Sequence, residues 1–74
     1  MNVKLEYDPQ VNAAYIYLRP GTAASTEEIA PGVMVDIAED GLPVGIEFLD
    51  ADGAFGGTPT GVEFEVAGLA PAKT

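Results

Sequence analysis

Carboxylates are the one reactive group this chain holds in quantity: 12 Asp and Glu stand against 3 Lys and Arg, with no His and no Cys in 74 residues. Without cysteine there is no thiol nucleophile, no thiolate metal site and no disulfide. Without histidine the commonest general base and the commonest transition-metal ligand are gone. Two kinds of carboxylate chemistry are left. A pair such as Asp36 and Glu47 has the composition of a general acid and base. The run Asp50-Ala51-Asp52-Gly53 sets alternating acidic oxygens ahead of a glycine, which suits a hard cation such as calcium or magnesium. The distal bidentate glutamate of a full calcium loop is missing, however, and Asp-Gly is ordinary turn chemistry. The corner from Asp8 to Asn12 gathers oxygens too, and backbone capping accounts for them more simply.

The elements that must position Asp36 and Glu47 lie between Val33 and Asp50. Asp40-Gly41 separates two alternating apolar runs, which predicts a β-hairpin closed by a two-residue turn. Opposed residue numbers then sum to 81, so Ile37 faces Val44, Val35 faces Ile46 and Val33 faces Phe48. These six share one face, the candidate core or dimer face. Met34 opposite Glu47, Asp36 opposite Gly45 and Ala38 opposite Pro43 share the other, with Asp36 in diagonal reach of Glu47. A one-residue slip would turn the apolar set to water, so the register is strongly specified. Pro43 lacks an N–H, and its place in the register predicts an unpaired outer edge near the turn.

The remaining chain is organised around this hairpin. Residues 2–7 alternate, with Val3, Leu5 and Tyr7 on one side, and read as a half-buried strand. Asp8-Pro9 begins a turn or a single helical turn through Asn12. Ala13 to Arg19 is a second strand, antiparallel to the first, with Ala14, Ile16 and Leu18 on one face and Tyr15, Tyr17 and Arg19 on the other. Tyr15 and Tyr17 form an amphipathic patch suited to covering the sheet or to binding. Ser25 and Glu28 have capping-box spacing, but Pro31-Gly32 stops any helix before it grows, so Thr26 to Ile29 is expected to be extended. Residues 52–61 have loop chemistry, Val62 to Val66 alternates as a strand at a sheet edge, and residues 69–74 form a flexible tail. The expected fold is mainly β: a small antiparallel sheet of five or six strands built on hairpins, with at most a single helical turn. It forms one domain over residues 1–68. No predicted helix covers the apolar face, so a homo-oligomer, a dimer first of all, is expected to hide it.

A net charge of −9 repels phosphate backbones and anionic lipid, so neither nucleic acid nor membrane is an expected partner. The same charge attracts a basic protein or a hard cation. A chain this short with a flat polar face is not expected to enclose a catalytic pocket, so no enzyme activity and no cofactor are expected. No apolar run reaches the length of a membrane span, and residues 1–4 lack the apolar core of a secretion signal, which makes the cytoplasm the expected location.

Tyr7-Asp8-Pro9, Ala13, Tyr15-Ile16, Leu18, Thr26-Glu27-Glu28, Gly32-Val33, Val35-Asp36, Glu39-Asp40-Gly41, Val44-Gly45-Ile46-Glu47 and Leu49-Asp50-Ala51, taken in this order, resemble the DUF2283 family of small prokaryotic proteins. Asn12 stands where the family carries an acidic residue and Ala14 where it carries a leucine, and the stretch after Ala51 differs from the family's short ending. The resemblance implies a compact β-rich domain without an established activity, sometimes resembling the partner of a small toxin-like protein. The expected function is accordingly an acidic, homo-oligomeric interaction module that binds a basic protein partner in an antitoxin-like manner. Tyr15, Tyr17, Asp36 and Glu47 are its candidate surface. The alternative is a small-ligand or divalent-cation-binding protein.

Overall fold

The computed structural model describes residues 2–63 and 65. Among them, strands β1 (Lys4–Asp8), β2 (Ala13–Tyr17), β3 (Ser25–Ala30), β4 (Val33–Ile37) and β5 (Pro43–Phe48) precede one short helix, α1 (Ala51–Phe55). All five strands join one antiparallel sheet in the order β1-β2-β5-β4-β3. The mainly β expectation holds, as does the extended reading of Thr26 to Ile29, which falls within β3. The helix brake at Pro31-Gly32 becomes the turn between β3 and β4, with Gly32 at φ 73°.

Register and alternation together build four rows of side chains across the sheet. On one face run Leu5, Ile16, Ile46, Val35 and Glu27, and beside them Tyr7, Ala14, Phe48, Val33 and Ala30. On the other run Lys4, Tyr17, Gly45, Asp36 and Thr26, and beside them Glu6, Tyr15, Glu47, Met34 and Glu28. Period-two side-chain direction makes one face apolar and the other polar. The apolar face is thinly roofed. Among the described residues the buried hydrophobics are Ala14, Val44 and Ala51, and no large side chain is fully buried. Every residue of β4 is half-buried, on both faces alike.

The central hairpin departs from expectation at its tip. Val33↔Phe48, Met34↔Glu47, Val35↔Ile46 and Asp36↔Gly45 pair as expected, but Ile37 faces Pro43. The turn is longer by one residue: Gly41 N–H donates to Ala38 O and Ala38 N–H to Leu42 O, both at 2.9 Å. This is a three-residue Glu39-Asp40-Gly41 loop in which Gly41, at φ 83°, takes the left-handed position. The extra residue is absorbed where the register shifts beyond Asp36. Val44 is therefore a bulge and not the partner of Ile37. It is buried close to Gly21, where an added Cβ would stand 3.1 Å from Val44 Cγ1.

The expected free edge beside Pro43 is also corrected. β5 is the middle strand, covered on its outer side by β2, whose pairing runs on until Leu18 N–H donates to Val44 O at 2.9 Å. Pro43 sits one residue beyond that bond, at the start of β5, where a missing N–H breaks no ladder. The true edges are β1 and β3, and β3 carries a register shift between Glu28 and Ala30.

Two expectations after Asp50 change as well. Residues 52–55, read as the start of a loop, belong to α1: Asp50 caps its start and Gly56, at φ 71°, ends it in the left-handed conformation. Phe55 reaches back to Phe48, ring centroids 4.7 Å apart, so the helix roofs one corner of the apolar face. In the expected strand from Val62 to Val66, residues 62, 63 and 65 are not in a strand, while Phe64 and Val66, like the expected tail 69–74, lie outside the described residues.

Candidate functional site

The polar face is organised by one hydrogen-bonded chain across β2, β4 and β3. The Tyr15 hydroxyl donates to Asp36 Oδ2 at 2.5 Å, and the Thr26 hydroxyl donates to Asp36 Oδ1 at 2.6 Å. Tyr15 lies in the row beside Asp36, and to reach it the ring passes over Gly45 of β5. A Cβ there would collide with the Tyr15 hydroxyl and ring, so the strand needs glycine at this position for close approach. Both carboxylate oxygens of Asp36 are thus occupied. The Thr26 bond first, and the Tyr15 bond after it, hold the Asp36 carboxyl below the usual range. Tyr15 moves the other way: burial, reinforced by the Asp36 bond, pushes its phenol up to about 12.

Tyr17 stands beside Tyr15, ring centroids 4.7 Å apart, with the Lys4 ammonium 5.3 Å from its own ring centre. Lys4 also meets Glu6 at 2.8 Å, and both side chains are largely exposed. The hydrogen bond between them, and after it their charge attraction, raises the Lys4 pKa and lowers that of Glu6. Glu47 lies between Tyr15 and Met34 in its row, and helps line an open groove of about 190 Å³ with Glu6, Asp8 and Tyr15. The four candidate residues therefore share one face, but not as an acid–base pair. Asp36 is spent on Tyr15 and Thr26, and the groove beside Glu47 does not include it.

Two further polar clusters hold the ends of the sheet. Arg19 Nη2 clamps the Asp40 carboxylate of the central turn at 2.8 and 2.9 Å. Asp40 also accepts from Leu42 N–H at 3.0 Å, the main reason its carboxyl is held below the usual range. At the opposite end Asn12, at φ 55°, joins the β1–β2 turn to α1. Its Nδ2 donates to Asp50 Oδ1 at 2.8 Å, its Oδ1 accepts from Asp52 N–H at 3.1 Å, and its carbonyl accepts from Ala51 N–H at 2.9 Å. Asp50 Oδ1 in turn accepts from Gly53 N–H at 3.2 Å. Of the oxygens read as a fragment of a cation loop, Asp50 Oδ1 is used as a helix cap and an inter-element clamp. Among the described residues, no three of His, Cys, Asp and Glu are grouped as metal ligands.

Sequence reasoning missed Thr26, Gly45 and the Asn12–Asp50 clamp. Gly45 carried a usable signal, because an isolated glycine inside an alternating strand marks a close approach. Thr26 carried none before the pairing of β3 with β4 was known.

A family model described as a protein of unknown function (DUF2283) matches residues 4–51, which takes in all five strands and the first residue of α1. Comparison with curated proteins found no match, and neither did comparison with solved structures. No helix among the described residues is long and apolar enough to cross a membrane.

Proposed function

The chain belongs to the DUF2283 family, and on that footing we propose that it is an acidic interaction module whose polar sheet face receives a basic protein partner. The observation that carries this reading is the braced aromatic–carboxylate surface of that face. Tyr15 is fixed by Asp36 across Gly45, Tyr17 packs beside it at a 56° tilt and 42% exposed, and Glu6 and Glu47 flank Tyr15 in its row. Aromatic side chains held in one orientation lose little entropy on binding, and carboxylates around them select lysine and arginine. A net charge of −9 adds long-range attraction for the same class of partner. An antitoxin-like role, holding the cationic surface of a small toxin, is one form of this function. The divalent-cation alternative has less support, because Asp50 already serves the cap and the clamp.

Immobilised chain exposed to lysate of its native host at low and high salt tests the proposal, with a Tyr17→Ala/Glu47→Gln variant alongside. A basic protein retained at about 50 mM salt, released by about 500 mM as charge attraction is screened, and lost from the variant is the expected outcome. Recovery of nothing but the chain itself, or equal recovery on the variant, refutes it.

A further inference from the structure

The polar face has its own hydrogen-bond network, whereas among the described residues the apolar face has no second layer over most of its width. Helix α1 and residues 57–63 shelter only the side near β1 and β2, where Leu5, Ile16, Phe55 and Val62 border an open groove of about 390 Å³. Val35 and Ile37 of β4 and Ile46 of β5 are only half-buried. We propose that two copies of this chain pack these apolar faces against each other as a two-layer, ten-stranded sandwich.

The distribution of charge chooses this occupant. Of the ten residues in the two apolar rows only Glu27 carries a formal charge, and it lies on the edge strand β3. The two polar rows hold Lys4, Glu6, Glu28, Asp36 and Glu47. A basic partner on the apolar face would bury cations with nothing to pair them, which is costly. A second copy buries no charge from the middle of its face and keeps both acidic surfaces outward. A flat apolar patch is also its own complement about a two-fold axis. Strands about 4.8 Å apart, rising about 3.3 Å per residue, give a five-by-five sheet face about 400 Å² in projection. A standard interface takes about 800 Å² of accessible surface per partner. The side left open by α1 and residues 57–63 is smaller still, so the contact must also take in the exposed Phe55 and Val62, and a dissociation constant no tighter than about the micromolar range is expected. Two chains of charge −9 repel each other, so this association tightens as salt rises. Binding of a basic partner has the opposite salt dependence, so each proposal is able to fail without the other.

Mass measurement on the full-length chain by light scattering, from about 1 to about 300 µM, supplies the first arm. The expected result is a shift from one copy of 7.6 kDa to two, at several-fold lower concentration in 300 mM than in 20 mM NaCl. The second arm uses the absence of native cysteine. Spin labels on Val35→Cys should lie at least about 10 Å closer to each other across the dimer than labels on Glu47→Cys, because facing sheets are about 10 Å apart. Glu47→Cys alters an apolar contact least and guards against a Val35 variant that fails to fold. A 7.6 kDa species over the whole range overturns the proposal, whichever part of the same chain then covers the face. So does a dimer that weakens with salt, or one whose Glu47 labels are the closer pair.

Discussion

At the scale of single residues, Tyr15 and Asp36 tie the stability of the fold to pH at both ends of the scale. The Tyr15 phenol is pushed up to about 12, so the folded chain holds that proton more tightly than the unfolded chain. Its stabilising effect is complete below the ordinary phenol value of about 10 and is lost as pH climbs from there through the folded value. Asp36 is held below the ordinary carboxyl range, so its contribution is present above about pH 4 and is lost as pH falls through its folded value. Tyr15→Phe removes the bond between them. The expected cost is about 1 kcal/mol near pH 7, below the range for a well-buried bond to a charged group because the pair is only half-buried. Denaturant unfolding of both proteins across pH should show this gap widest between about 4 and 10 and narrowing on either side. A gap that is flat with pH would mean that the hydroxyl contributes through packing alone.

At the scale of elements, α1 is the piece whose existence depends most on its ends. A five-residue helix containing Asp52 and Gly53 has little intrinsic stability. Asp50 supplies a cap to Gly53 N–H and a hold on Asn12, and the Phe55 ring rests on Phe48. Asp50→Ala should therefore cost about 1–2 kcal/mol, whereas Asp50→Asn, which keeps an acceptor oxygen, should cost only a few tenths. Chemical denaturation of the two variants decides whether cap geometry or negative charge matters. The same element shows where the sequence was hard to read. Alternation exposed the strands and the pairing from Val33 to Asp36 because a slip there would put Val33, Val35, Ile46 and Phe48 into water. Helix α1 has no apolar period to show, and its only local signals, an Asp before it and a glycine after it, also fit a loop. Asp40-Gly41 was ambiguous in a similar way. The doublet fits a two-residue turn, but a loop starting at Glu39 needs positive φ at Gly41 alone and leaves Asp40 free to accept from Leu42 and Arg19. The polar face was legible as a surface, since Tyr15, Tyr17, Asp36 and Glu47 do share it. Its wiring was not, because Thr26 arrives from a strand whose pairing no local pattern encodes.

At the scale of the whole molecule, 12 acidic residues on 74 work against compactness as well as toward solubility. Raising NaCl from about 20 to about 300 mM should lift Tm by several degrees, since about 1 kcal/mol corresponds to about 4–8 °C in a chain of this size. A Tm that stays constant would mean that the charges are already too far apart to matter. The two rims of the sheet bear on a different hazard. β3 is exposed along its full length, yet it carries Glu27 and Glu28 and breaks register before Ala30, and β1 carries Lys4, Glu6 and Asp8. Kinked, charged rims are poor templates for a stray strand. Broadside pairing of two copies ends with two copies, whereas side-by-side accretion would have no natural stopping point. Mutating the rim glutamates to valine should therefore turn a well-behaved solution into one that throws fibrils, even though the backbone ladder of the sheet is left intact.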